Sequence, residues 1–150
     1  MPPATPRPAP ADPEMWNHVL ALHARVEHRL GAVLQRRHGL GLSEYRALGH
    51  LSAAGPRCEL RMQELADRLG LNQSSVTRLV GRLNAAGLTF RDSCPDDKRG
   101  VYTVLTDAGR ARHEEARATY GETLSAALDE AAGASPAAAA LVTAARSALG

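Results

Sequence analysis

Apolar residues recur at three- and four-residue steps along most of this chain, with one break to a period of two. From 13 to 38, Trp16, Val19, Leu20, His23, Val26, Leu30, Val33 and Leu34 form one stripe, which predicts a long amphipathic helix. Asp12 can cap it, Pro13 suits a first helical position, and His38-Gly39 ends it. Ser43 is placed to cap a second helix over 44–54, with Glu44 in its first turn and Tyr45, Leu48 and Leu51 on its inner face. Gly55-Pro56 stops it, and Glu59 to Arg61 is placed to add a short strand. Two short helices follow. Met62, Leu65, Ala66 and Leu69 mark the first; Val76, Leu79, Val80 and Leu83 mark the second. Gly70 closes the first, Asn72 caps the second and Gly87 ends it. Leu88, Phe90, Val101, Thr103 and Leu105 then alternate as an antiparallel ribbon. Thr106 is placed to cap a helix over 107–132, with Ala108, Ala111, Tyr120, Leu124, Ala127, Leu128 and Ala131 inward and Gly133 at its end. Ser135-Pro136 opens a last helix over 136–149. The fold class is mainly α with a small antiparallel β-ribbon.

The pair of short helices has a specific lock. Ala66 lets the helices approach, Gly70 permits the sharp turn, and Val76 fills the angle between them. This spacing defines a helix-turn-helix. The second helix also carries a polar face: Gln73, Ser74, Ser75, Thr77 and Arg78, with Arg82 a turn further on. Short hydrogen-bonding groups beside long cations suit base edges and flanking phosphates. The ribbon tip reads Cys94-Pro95-Asp96-Asp97-Lys98-Arg99-Gly100, and cations on such a tip suit an adjacent minor groove.

Taken together, ELADRLGLNQSSVTRLVGRL, AAGL, DDKRG and VLTDAG, in this order and spacing, resemble the MarR family of winged helix-turn-helix transcription regulators. The resemblance implies a winged helix-turn-helix over about 43–106 and dimerisation helices over about 13–38 and 107–149. With a Pro-rich leader over 1–12, expected to be disordered, these make a single domain over 13–150. It further implies a homodimeric repressor on a palindromic operator. Double-stranded DNA would be read by Gln73, Ser74, Ser75, Thr77, Arg78, Arg82, Lys98 and Arg99, with Asp97 structuring the wing. Many members release DNA on binding a small aromatic or anionic effector between the dimer helices and the DNA-binding lobe. Trp16, His23, Tyr45, Arg46 and His113 are the residues this chain could supply there. The apolar stripe Trp16, Val19, Leu20 and Val26 and the stripe Leu141, Val142, Ala145 and Leu149 are expected to be covered by a second subunit.

Composition narrows the alternatives. The net charge is only +2, but 17 of the 18 cations are arginine, which favours bidentate contacts to phosphate and guanine. Aromatic residues make up 3%, too few for a protein that stacks single-stranded bases. Cys58 and Cys94 are far apart, and the six histidines lack metal-ligand spacing. No cofactor or metal is expected. Some relatives sense oxidants through cysteine; Arg57 and Arg61 flank Cys58, but neither cysteine matches the usual position near the N-terminal helices. The chain shows no phosphate loop and no nucleophile elbow, and the Asp96-Asp97 pair sits in a turn, so an enzyme is not expected. No apolar run nears the roughly 20 residues of a membrane span, and no signal core is present, so a cytoplasmic location is expected. The alternative reading is a winged-helix module that binds protein and no DNA. Exposed cations at the wing tip argue against it.

Overall fold

The computed structural model describes residues 11–93 and 100–150. Its elements run α1 (Asp12–His38), α2 (Leu42–Ser52), β1 (Glu59–Arg61), α3 (Met62–Leu69), α4 (Gln73–Ala85), β2 (Thr89–Ser93), β3 (Val101–Leu105), α5 (Asp107–Ala134) and α6 (Pro136–Leu149). The chain forms two compact units. One takes in residues up to Leu30 together with Glu122–Gly150; the other is Gly31–Gly121.

Within the second unit, β3 is the central strand, with β1 and β2 antiparallel on either side. The inner face of the sheet carries Leu60, Thr89, Thr103 and Leu105, all buried. Leu60 and Leu105 pack with Leu48 and Leu51 of α2, Leu65 and Ala66 of α3, and Val76, Leu79, Val80 and Leu83 of α4. Burial of each large aliphatic side chain contributes roughly 1.5–3 kcal/mol, so this cluster dominates the unit's stability. α3 and α4 are held at the expected turn. Gly70 has φ +67° and ends α3 in the left-handed conformation, and Asn72 caps α4 through its side-chain oxygen on Ser75 N–H at 2.9 Å.

Several boundaries differ from the sequence expectation. α1 starts at Asp12, where the Ala11 carbonyl accepts Met15 N–H. Gly41, not Ser43, is the N-cap of α2: its N–H donates to the Glu44 carboxylate at 3.0 Å, and Ser43 lies inside the helix. α5 continues past Gly133 to Ala134, because the break comes at Ser135, whose hydroxyl caps α6 on Ala138 N–H. Thr106 does cap α5, on Gly109 N–H at 3.0 Å. On α5, Ala108 and Ala111 are exposed, and Gly109, Ala116 and Thr123 are buried instead. Phe90 lies on the outer sheet face opposite Val104 and is 49% exposed. Leu88 precedes the strand, so Thr89 sets its phase, and the Thr89 hydroxyl is satisfied by Asn84 Oδ1 at 2.6 Å.

In the first unit, Val26, Leu30, Ala127, Ala131 and Val142 are buried. An Arg29–Glu130 ion pair joins α1 to α5, and Arg146 of α6 pairs with Asp129 at 2.7 Å. Met15, Trp16 and Leu20 are exposed. Of the stripes expected to be covered by a second subunit, Val26 and Val142 are already buried within the chain.

Candidate nucleic-acid interface

The outer face of α4 is polar because its inner face takes every large apolar residue. Gln73, Ser74, Thr77, Arg78 and Arg82 are exposed, and Ser75 is half-buried. The first turn is partly self-satisfied. Ser74 Oγ donates to Asn72 Oδ1 at 3.0 Å, and Thr77 Oγ1 donates to the Gln73 carbonyl at 2.7 Å. Such local bonds orient hydroxyls without using up their acceptor capacity. Arg78 extends outward from the middle of the helix. Arg82, in the third turn, is held by Glu44 of α2, Nε to Oε1 at 3.3 Å.

A groove of about 310 Å³ runs between this helix and the sheet, with Gln73, Thr77 and Gly81 on one side and Arg91, Val101 and Thr103 on the other. Arg91 has no counterpart among the DNA-contacting residues expected from sequence. It shares a strand face with buried Thr89, and that alternation was the signal that could have found it. The sequence marks Glu44 only as a first-turn carboxylate; its link to α4 spans 38 positions and has no local signature. Asp97, Lys98 and Arg99 lie outside the described residues. The approach to the wing is braced by Arg61 of β1, whose Nε and Nη2 both donate to the Tyr102 hydroxyl, at 3.2 and 3.0 Å.

Of the five effector-lining residues expected, three come together. Tyr45 stacks on His113 with ring centroids 4.9 Å apart, and on Tyr120 at 4.6 Å. Arg46 donates to the Tyr120 hydroxyl at 3.3 Å. Burial, followed by the neighbouring Tyr120, raises the Tyr45 pKa. Burial lowers that of His113, with Glu114 opposing and Arg117 adding to the shift. Tyr120 completes this cluster, although its sequence position suggested only a core role. Trp16 and His23 belong to the other unit; Trp16 is 56% exposed, and His23 lies 3.7 Å from Glu27. Cys58 is buried, with φ +49°, and its Sγ receives Arg110 Nη2 at 3.1 Å. Among the described residues, no group of three or more His, Cys, Asp or Glu is placed to hold a metal. No helix among them is long and apolar enough to cross a membrane.

A capped, outward-facing second helix packed on a partner helix and flanked by a three-stranded sheet defines a winged helix-turn-helix. The model of the MarR family matches residues 38–100. Sco3205 of Streptomyces coelicolor, a MarR family transcriptional regulator solved in complex with DNA, is 30% identical; the match covers 85% of this chain and 79% of that one, with a TM-score of 0.73. Sco5413 of the same organism, also a MarR family transcriptional regulator, is 26% identical over 85% of this chain and 83% of its own, with a TM-score of 0.65. The uncharacterized HTH-type transcriptional regulator YkoM of Bacillus subtilis is 35% identical over 74 residues, 49% of this chain and 46% of that protein. The matches to such curated relatives thus span less than half of their length. The chain belongs to the MarR family.

Proposed function

We propose that this protein is a cytoplasmic, sequence-specific regulator of transcription that binds double-stranded DNA as a homodimer and represses from a palindromic operator. The observation that carries this reading is the exposed polar face of α4, set on a fully apolar inner face and fixed at its start by Asn72. Gln73, Ser74, Ser75, Thr77 and Arg78 meet base edges or adjacent phosphates, Arg82 a flanking phosphate, and Lys98 and Arg99 the minor groove beside the wing, where Asp97 orders the turn. One such helix reads too few base pairs for selectivity. A two-fold pair doubles the contacts and sets half-sites about 34 Å apart.

Selection of bound duplexes from a randomised library, followed by footprinting, tests the reading. A palindromic consensus and a steep loss of affinity with salt are expected. Recovery of no preferred sequence overturns sequence-specific binding. Arg99→Ala should weaken the selected complex by about 1–3 kcal/mol without lowering the unfolding temperature.

The Tyr45–His113–Tyr120 stack with Arg46 supports a second element of the proposal, release by a small aromatic acid. The faces of His113 and Tyr120 turned away from Tyr45 take the ring, and the guanidinium takes the carboxylate. Release requires that the ligand bind the free dimer more tightly than the DNA complex. Calorimetry on both forms checks this, and equal affinities for the two would exclude it.

A further inference from the structure

Glu44 stands in the first turn of α2, but its carboxylate serves two elements. Oε2 accepts the Gly41 N–H at 3.0 Å, closing the start of its own helix. Oε1 accepts Nε–H of Arg82 at 3.3 Å, from the third turn of α4. A side chain engaged at both oxygens keeps one rotamer.

The guanidinium is held through Nε. An arginine offers five N–H donors, and this contact takes one. The terminal Nη groups remain available, and the Arg82 side chain is 59% exposed. With the arginine this exposed, the pair adds little to stability. Its consequence is geometric: an untethered arginine loses many rotamers when it docks on a partner. Tethering at Nε moves much of that ordering into the free protein. The opposing effect is repulsion between the Glu44 carboxylate and an incoming phosphate. That repulsion acts across the guanidinium, in solvent, over a distance approaching the roughly 8 Å screening length at physiological salt, and is therefore the weaker of the two.

We propose that Glu44 is a positioning residue that presents Arg82 to a DNA phosphate; the inference rests on the DNA-binding reading above. The test uses the full chain and a duplex recovered by selection, with affinity measured by fluorescence anisotropy over a salt series. Glu44→Ala is expected to weaken binding roughly three- to tenfold while leaving the salt slope unchanged, because no phosphate contact disappears. Arg82→Ala is expected to weaken binding and to make the slope shallower by about one per subunit. In the Arg82→Ala background, Glu44→Ala should have no further effect. If the alanine variant unfolds, Glu44→Gln carries the comparison: its single amide oxygen can keep the Gly41 N–H bond while its NH2, a donor only, cannot accept from Arg82 Nε–H, so the cap is kept and the tether lost. An equal loss in both backgrounds would assign Glu44 to the α2 cap alone and overturn the proposal. Tighter binding by Glu44→Ala would overturn it too, marking a neutralising charge. If the wild-type protein retains no duplex, the DNA-binding reading falls, and this proposal with it.

Discussion

Gly109 is a position where no side chain fits. A Cβ there would lie 2.1 Å from the Leu88 carbonyl oxygen and 2.7 Å from Leu105 Cδ1. The crowding arises because the start of α5 is pinned to the end of the α4–β2 turn. Thr106 N–H donates to the Leu88 carbonyl at 3.1 Å, and its hydroxyl donates to the Gly87 carbonyl at 2.8 Å. Backbone cannot move aside as a flexible side chain can, so Gly109→Ala should lower stability by about 3 kcal/mol, read as a drop in the thermal unfolding midpoint. Arg78 is the opposite case, exposed and on the outer face of α4. Its replacement by Ala should leave the unfolding midpoint within error and relax the operator's base preference at one symmetric pair of positions in a base-substitution scan. A uniform loss across all positions would make Arg78 a phosphate contact instead.

For α4 as a helix, the cap matters more than any single outward residue. Asn72 accepts both the Ser75 N–H and the Ser74 hydroxyl. Asn72→Ala should cost about 1 kcal/mol of stability. It should also weaken DNA binding, because the fraying turn carries Gln73, Ser74 and Ser75; paired denaturation and anisotropy measurements separate the two effects. α2 carries a pH dependence through the side chains packed on it. His113 stacks on Tyr45 and stands 3.1 Å from where a Cβ at Gly49 would lie, and burial lowers its pKa below the ordinary 6.5. His50, within α2, is lowered in the same direction by burial and by Arg68. The unfolded chain therefore binds more protons than the folded one just below pH 6.5. Stability is full above that value and is lost as pH falls through it toward the depressed folded values. Urea midpoints measured from pH 7.5 down to 5 should fall, and His113→Phe, which keeps a stacked ring, should flatten part of the decline.

Taken as a whole, the chain leaves Met15, Trp16 and Leu20 of α1 exposed, with Leu149 of α6 exposed as well. Met15 also lines an open, largely apolar groove of about 300 Å³ with Ala137, Ala140 and Leu141, and Glu14 and His18 stand at it too. Large apolar side chains exposed on these two helices are what a second copy would cover in the proposed homodimer. Trp16→Asp together with Leu20→Asp should shift sedimentation toward the monomer at micromolar concentration. A dimer unaffected by this pair would place the subunit contact elsewhere. Because only paired helices give selectivity, the same variant should also lose most of its operator affinity.

The helix-turn-helix was legible residue by residue because its determinants are local. Gly70 at positive φ, Asn72 as a cap and the stripe Val76, Leu79, Val80 and Leu83 each act within a turn or two of chain. The same locality made the caps Thr106 and Ser135 readable. The misplacements occur where distant groups compete. Gly41 displaced Ser43 as a cap because Glu44 can reach back to its N–H, and Phe90 turned outward because pairing with β3 set the phase from Thr89. The Glu44–Arg82 bridge, the position of Arg91 beside α4 and the sandwich of Tyr45 between His113 and Tyr120 join residues distant in the chain. Helical periodicity says which face of an element is inward. It does not say which side chain of another element waits there, and only packing of the folded chain decided those pairings.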